Sequence, residues 1–309
     1  MKSPNASPIK IGSATSAVKK RKITPTTKSL SNPSAFKSDF SLKNFIPRQK
    51  SATLIFQNKF LLGRDDMKYF TIGILMLFSL VANEGEELYR LGKKYETQKH
   101  FQQAKHYYQK AHKLHYAKAS YSLAYLHHHG LHGNKDIDKA LHYYQHASKQ
   151  GDTDSLVQIG VIYQDEASIR DLRKAKSYYE KAAQKNHPAA LFSLAVCYED
   201  GIGTAIDYQK AFSLYQRALQ SGEYYSYFRL AYLYQQGLGA KQNYEKAIEL
   251  YKKATEHGVR DAFYNLAYIY ELGPSHIQDH RQARYWYQQA AQRGDLEAVQ
   301  ALKDLTIRN

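Results

Sequence analysis

One alanine recurs through the chain with a period that barely slips: Ala104, Ala140, Ala175, Ala211, Ala247 and Ala283, separated by 36, 35, 36, 36 and 36 residues. Self-similarity at that period marks stacked supersecondary units, each too small to bury its apolar face alone. Four residues after each alanine stands a tyrosine (Tyr108, Tyr144, Tyr179, Tyr215, Tyr251, Tyr287), and seven after it a second alanine (Ala111, Ala147, Ala182, Ala218, Ala254, Ala290). Offsets of four and seven put all three on one helical stripe. Upstream, each copy carries an aliphatic residue followed by a small one: Leu91-Gly92, Leu123-Ala124, Ile159-Gly160, Leu194-Ala195, Leu230-Ala231 and Leu266-Ala267. The small member lets a second helix come close. Each copy therefore reads as helix A, loop, helix B and turn. The turn carries Gly151, Gly222, Gly258 and Gly294, where a left-handed cap costs least without a Cβ. Asn186 fills that slot in copy three, and His115 breaks the pattern in copy one.

The distance from the small residue of helix A to the alanine of helix B is 12 residues in copy one, 15 in copy three and 16 elsewhere. Twelve suits a tetratricopeptide repeat, so the extra residues belong to the A–B loop. Copies four and five read YEDGIGTAIDYQKA and YQQGLGAKQNYEKA. With these residues, positions 85–309 resemble the Sel1-like repeat family, whose units read roughly A-x-x-x-L-G-x-x-Y-x-x-G-x-G, then K-A-x-x-x-Y-x-x-A, then G. The resemblance implies an all-α fold: an α-solenoid of about six Sel1-like, tetratricopeptide-like helix-turn-helix repeats with a C-terminal capping helix. It also implies a scaffolding role, without naming a partner. Departures are local: copy one lacks the longer loop, copy three (QDEASIRD) lacks both loop glycines, and copy six has Gly273-Pro274. At the far end Ala298 and Leu302 keep the register of a further helix A, but Lys303 takes the small residue's slot, as a solvated cap would.

All 28 tyrosines lie after residue 68, which separates the repeats from what precedes them. Residues 1–66 hold 13 lysines and arginines against Asp39, Asp65 and Asp66, too polar a mixture to offset its ordering entropy by burial. They read as a disordered basic leader, with Lys19-Lys20-Arg21-Lys22 as its densest run. Residues 67–84 have the layout of a secretory signal: Lys68 after Met67, an apolar run from Tyr69 to Val81, then Ala82 and Asn83. The run is short for a bilayer span, which needs about 20 apolar residues. The expectation is translation from Met67 and export to a periplasmic or secreted location. An uncleaved membrane anchor through residues 69–82, an organellar leader, and a buried helix in a cytoplasmic protein stay open.

No catalytic constellation is present. The chain has no H-E-x-x-H, G-x-S-x-G or C-x-x-C, and the G-x-G pairs at Gly201 and Gly237 recur at the repeat period, as a family turn would. Cys197 is the lone cysteine, so no intrachain disulfide forms and the residue reads as a small buried hydrophobe. The absence of repeat disulfides also separates the chain from cysteine-rich Sel1-like proteins. His127, His128, His129 and His132 cluster in copy two, and the pairs His142/His146 and His276/His280 have four-residue spacing. The second of these pairs lies near Asp279, but no cysteine joins any of them, carboxylates are sparse in copy two, and an exposed polar helix end accounts for the cluster as well, so neither metal nor cofactor is expected.

The expected working surface is a flank of helix A. Counting from its small residue, positions −5, −1 and +3 should pack, while −3, +1 and +4 should line the concave side of the superhelix. The second set contains Tyr89 and Lys93 in copy one and, as the expected partner contacts, Tyr121, Tyr125, His128, Gln164, Phe192, Glu199, Phe228, Tyr232, Gln235, Tyr264, Tyr268 and Glu271. Such aromatic residues offer large, rigid contact area with polar tips. The helix-B tyrosines are assigned to the core. The chain thus reads as a non-catalytic adaptor for another protein or peptide. Two rivals remain: an envelope factor performing or regulating peptidoglycan or β-lactam chemistry, and binding of nucleic acid or an acidic partner through the leader. Nucleic acid is the less expected partner.

Overall fold

The computed structural model describes residues 83–307. The leader at 1–66 and nearly all of the signal-like stretch at 67–84 lie outside the described residues. Among those described, every regular element is helical. They fall into two compact units that divide after Ala119.

The first unit holds α1 (residues 83–97) and α2 (Phe101–Lys113). Gly92 of α1 lies under the Tyr108 ring so closely that no Cβ would fit. The Tyr108 hydroxyl donates to Glu96, and Tyr89 packs on the same ring at 5.7 Å between centroids.

Beginning in α3 (Ala117–His129), the second unit repeats one hairpin: α3 with α4 (Ile137–Lys149), α5 (Thr153–Asp165) with α6 (Leu172–Ala183), and α7 (Pro188–Asp200) with α8 (Tyr208–Gln220). It continues with α9 (Ser226–Gln236) and α10 (Tyr244–Glu256), then α11 (Arg260–Leu272) and α12 (His280–Gln292), and closes on α13 (Leu296–Ile307). From α4 onward each helix packs chiefly on its chain neighbours, as stacked repeats do. The helix-B tyrosines and both alanine columns are the core, at 0–1% exposure.

A single device closes the A–B loop of repeats two to six. The residue before helix B (Asp136, Asp171, Asp207, Asn243, Asp279) donates its N–H to the carbonyl at position +3 of helix A, at 2.8–2.9 Å. Its side chain accepts the N–H of the third helical residue, an N-cap. In three repeats that residue is a lysine whose ammonium pairs with the same aspartate, as Lys210 does with Asp207 at 3.0 Å. The Lys174, Lys210 and Lys246 ammonium groups lie 5.2–5.3 Å from the ring centres of Tyr163, Tyr198 and Tyr234. Copy three closes the same way without glycines, using a 3-10 turn over Ala167–Ile169.

In copies four and five the second loop glycine reaches backward, whereas Gly133 of copy two has open space around it. A Cβ on Gly203 would collide with the Leu172 carbonyl at the start of α6, and one on Gly239 with the Tyr208 carbonyl at the start of α8. The motif is therefore a seam between successive repeats, set by close backbone approach rather than by a phosphate. The B–A turns are left-handed at Gly151, Gly222, Gly258, Gly294 and Asn186. His115, which departs from the glycine pattern in copy one, adopts φ 59°, the same conformation, despite its side chain.

Candidate functional site

Helix A carries the flank expected to bind. At position −3, Tyr121, Phe192, Phe228 and Tyr264 lie against Tyr144, Tyr215, Tyr251 and Tyr287 of their own repeats, with ring centroids 5.3–5.7 Å apart. At +4, Gln164, Gln235 and Glu271 accept the hydroxyl hydrogens of Tyr179, Tyr251 and Tyr287 at 3.2, 2.9 and 2.8 Å, and Glu199 accepts that of Tyr215. A buried phenol needs such a partner.

This geometry corrects the expectation that −3, +1 and +4 open together onto a groove. Phe192, Phe228, Tyr264, Glu199 and Gln235 are buried, and Gln164 and Glu271 are half-buried. Positions −3 and +4 are seven apart, two turns on one face, and the tyrosine of helix B occupies that face. Of the expected residues only Tyr125, at +1, is exposed, and Tyr121 and His128 are half-buried. Tyr125 is 36% exposed, with its ring 4.1 Å from that of His129. Tyr232 and Tyr268 are half-buried. Burial raises the pKa of both phenols, and neighbouring groups add to it: Glu199 and Tyr208 for Tyr232, Glu271 and Tyr244 for Tyr268. The structure thus leaves tyrosines at +1 in repeats two, five and six, with Val161 half-buried and Val196 buried in the same slot of repeats three and four.

Beneath Tyr232 lies a charge pair that the sequence did not signal. Arg229 of α9 reaches Glu199 of α7 at 3.3 Å, with both residues at 5% exposure or less. Burial lifts the Glu199 carboxyl above its usual range, against the pull of Arg229 and the Tyr215 hydroxyl. Nearby Cys197 is sealed in the core, its thiol pushed up to about 12 by burial. It is a packing residue.

Repeat two departs from the scheme. His128 occupies +4, and the Tyr144 hydroxyl is buried with no hydrogen-bond partner among the described residues. The His128 Nε2 lies 3.6 Å from Glu166, which also holds Lys135. Burial, with His129 beside it, lowers the His128 pKa to about 4, so the ring is neutral near pH 7. Among the described residues no group of three or more His, Cys, Asp or Glu side chains is placed to hold a metal ion. His146 contacts Ser120, and His276 contacts Glu245.

A Sel1 repeat family model matches residues 85–114, 117–152, 153–187, 188–223, 225–259 and 261–295, one match for each helix pair. The chain belongs to the Sel1 repeat family. A Sel1 repeat protein from Oxalobacter formigenes is similar at 27% identity and a TM-score of 0.62, over 69% of this chain and 88% of that one. A protective antigen of uropathogenic Escherichia coli strains, displaying an SLR fold, is similar at 26% identity and a TM-score of 0.54, over 72% of this chain and 57% of that one. No curated protein matches the sequence. Sel1 repeat proteins generally mediate protein–protein interaction and are generally non-catalytic. Among the described residues of this Sel1 repeat chain, no helix is long and apolar enough to cross a membrane.

Proposed function

We propose that the chain is a non-catalytic adaptor that holds a segment or domain of another protein against the helix-A layer of its repeats. The supporting observation is the surface kept by the tyrosines at position +1: Tyr125 is exposed and Tyr232 and Tyr268 are half-buried, beside the buried −3 rings Phe192, Phe228 and Tyr264. Their tips sit beside polar groups, so a partner would meet rigid rings and hydrogen-bonding edges together. The buried candidates Phe192, Glu199, Phe228, Gln235 and Tyr264 then support the surface from below, and Tyr121, His128, Gln164 and Glu271 flank it. The domain organisation that goes with this reading is a leader at 1–66, a signal-like stretch at 67–84 that exports the protein, and a repeat domain at 85–309.

Affinity capture with the wild-type chain and with a Tyr125→Ala, Tyr232→Ala, Tyr268→Ala variant of equal helicity tests the surface. The variant should lose the proteins that the wild type retains. Equal recovery would place the binding surface elsewhere. Peptide mass mapping of the mature protein tests export, since peptides from residues 20–60 would exclude a start at Met67.

A further inference from the structure

Each helix B presents two residues, three before and one after its aligned alanine, on the side where the next repeat docks. In repeats two, four and five these pairs are Ile137/Leu141, Tyr208/Phe212 and Tyr244/Ile248, all packed into the core clusters, while repeat three has Leu172 and Lys176, whose ammonium pairs with Glu180 at 2.9 Å and lies over the Tyr198 ring. The last helix B, α12, has His280 and Arg284 in those places, with Arg281 alongside. Together with Tyr285 and Gln288 they line a shallow hollow of about 240 Å³. Tyr285 is 49% exposed and stands edge-on to Trp286 at 4.9 Å.

A polar end is what keeps a repeat array soluble, and a balanced mixture such as the three lysines and three glutamates of α10 would meet that need. α12 is different. It contains no acid at all, and neither Arg281 nor Arg284 is in an ion pair among the described residues. Asp279, the nearest carboxylate in sequence, is engaged by the backbone N–H groups of Arg281 and Gln282. The bias extends along the array: helices α4, α6, α8, α10 and α12 hold 13 lysines and arginines against five acids, whereas α5, α7, α9 and α11 hold two against six. The helix-B layer therefore attracts anions, and α12 adds two adjacent unpaired guanidinium forks next to an exposed ring. Guanidinium forks match planar carboxylates in a bidentate manner.

We propose that the open flank of α12 docks an acidic segment of a partner protein, its carboxylates clamped by Arg281 and Arg284 and a neighbouring apolar side chain laid on Tyr285. None of these residues belongs to the helix-A tyrosine surface, so this site can fail or stand independently of that reading. Fluorescence anisotropy of a labelled oligoglutamate peptide with one central leucine, titrated with the full-length chain at low salt, tests the proposal. Replacing both arginines (Arg281→Gln, Arg284→Gln) should weaken binding about tenfold or more, the scale of lost charge-assisted hydrogen bonds. A control on the outer face of α6, Arg173→Gln with Lys181→Gln, removes the same charge and should change affinity less than about twofold. Arg281, Arg173 and Lys181 are exposed and Arg284 is half-buried, and circular dichroism verifies equal helicity. Equal losses in the two variants would reduce the effect to a general basic coat and overturn the site. No binding by the wild type would overturn it, as would a single-stranded oligonucleotide of equal charge outcompeting the peptide. So would sedimentation showing a dimer that the α12 variant dissolves, since the flank would then face a second copy.

Discussion

Tyr144 and Tyr251 occupy the same slot in two repeats, and both are fully buried, but among the described residues only Tyr251 has an acceptor, Gln235 at 2.9 Å. Removing the Tyr251 hydroxyl strands the Gln235 amide, so Tyr251→Phe should cost about 1–2 kcal/mol in urea denaturation. Tyr144→Phe removes a group that already lacks a partner and should be neutral or stabilising. A comparable loss from both would mean that the Tyr144 hydroxyl finds an acceptor in solution. In the same repeat, burial and then His129 set the His128 pKa at about 4 against an ordinary value of 6.5, with Lys135 adding to them and Glu166 opposing. The unfolded chain therefore binds a proton that the folded chain refuses. The resulting stability is complete above about pH 6.5 and is lost as the pH falls toward 4. It amounts to roughly 2–3 kcal/mol. His128→Gln should flatten that part of the stability profile, and an unchanged slope would assign the acid sensitivity to other groups.

Single elements are where the repeat motif gains its meaning. Gly222 has open space around a notional Cβ, so Gly222→Ala should cost only the left-handed backbone penalty, about 1–2 kcal/mol. Gly203 is also left-handed, but its Cβ would strike the Leu172 carbonyl, a backbone atom that cannot step aside. Gly203→Ala should lower the melting temperature well beyond Gly222→Ala, and equal shifts would show that the seam gives. The period alone made the helices, their turns and the buried tyrosine column legible. It did not reveal that the loop glycine touches the preceding repeat, because that partner lies some 30 residues upstream and is a carbonyl, which every residue has. Nor did it reveal the burial of position +4, since glutamate and glutamine read as solvent-facing by type. One signal was available: an acceptor at +4 in five copies (Glu96, Gln164, Glu199, Gln235, Glu271) in step with a phenol in each helix B. Asp136, Asp171, Asp207, Asn243 and Asp279 were equally regular, an N-cap series written openly before each helix B.

Over residues 120–307, packing between chain neighbours makes stability a sum of hairpin terms and junction terms, so one junction can decide whether the array melts as a unit. The largest apolar cluster runs from Val157 to Leu233 and surrounds α7, which is buried on nearly every side. Repeats four and five share the Arg229–Glu199 pair at its edge. Removing Arg229 leaves the Glu199 carboxyl enclosed without its counter-charge, a loss of about 3–5 kcal/mol when one partner of a buried pair is deleted. That loss falls on the junction rather than within a hairpin. Arg229→Ala should therefore split the urea transition or lower its slope, with the amides of α9 to α13 exchanging before those of α5 to α8. Arg229→Ala with Glu199→Gln removes the stranded carboxyl and should recover part of the stability. A single transition, displaced but equally steep, would mean that the apolar seam carries the coupling and that the charge pair only tunes it.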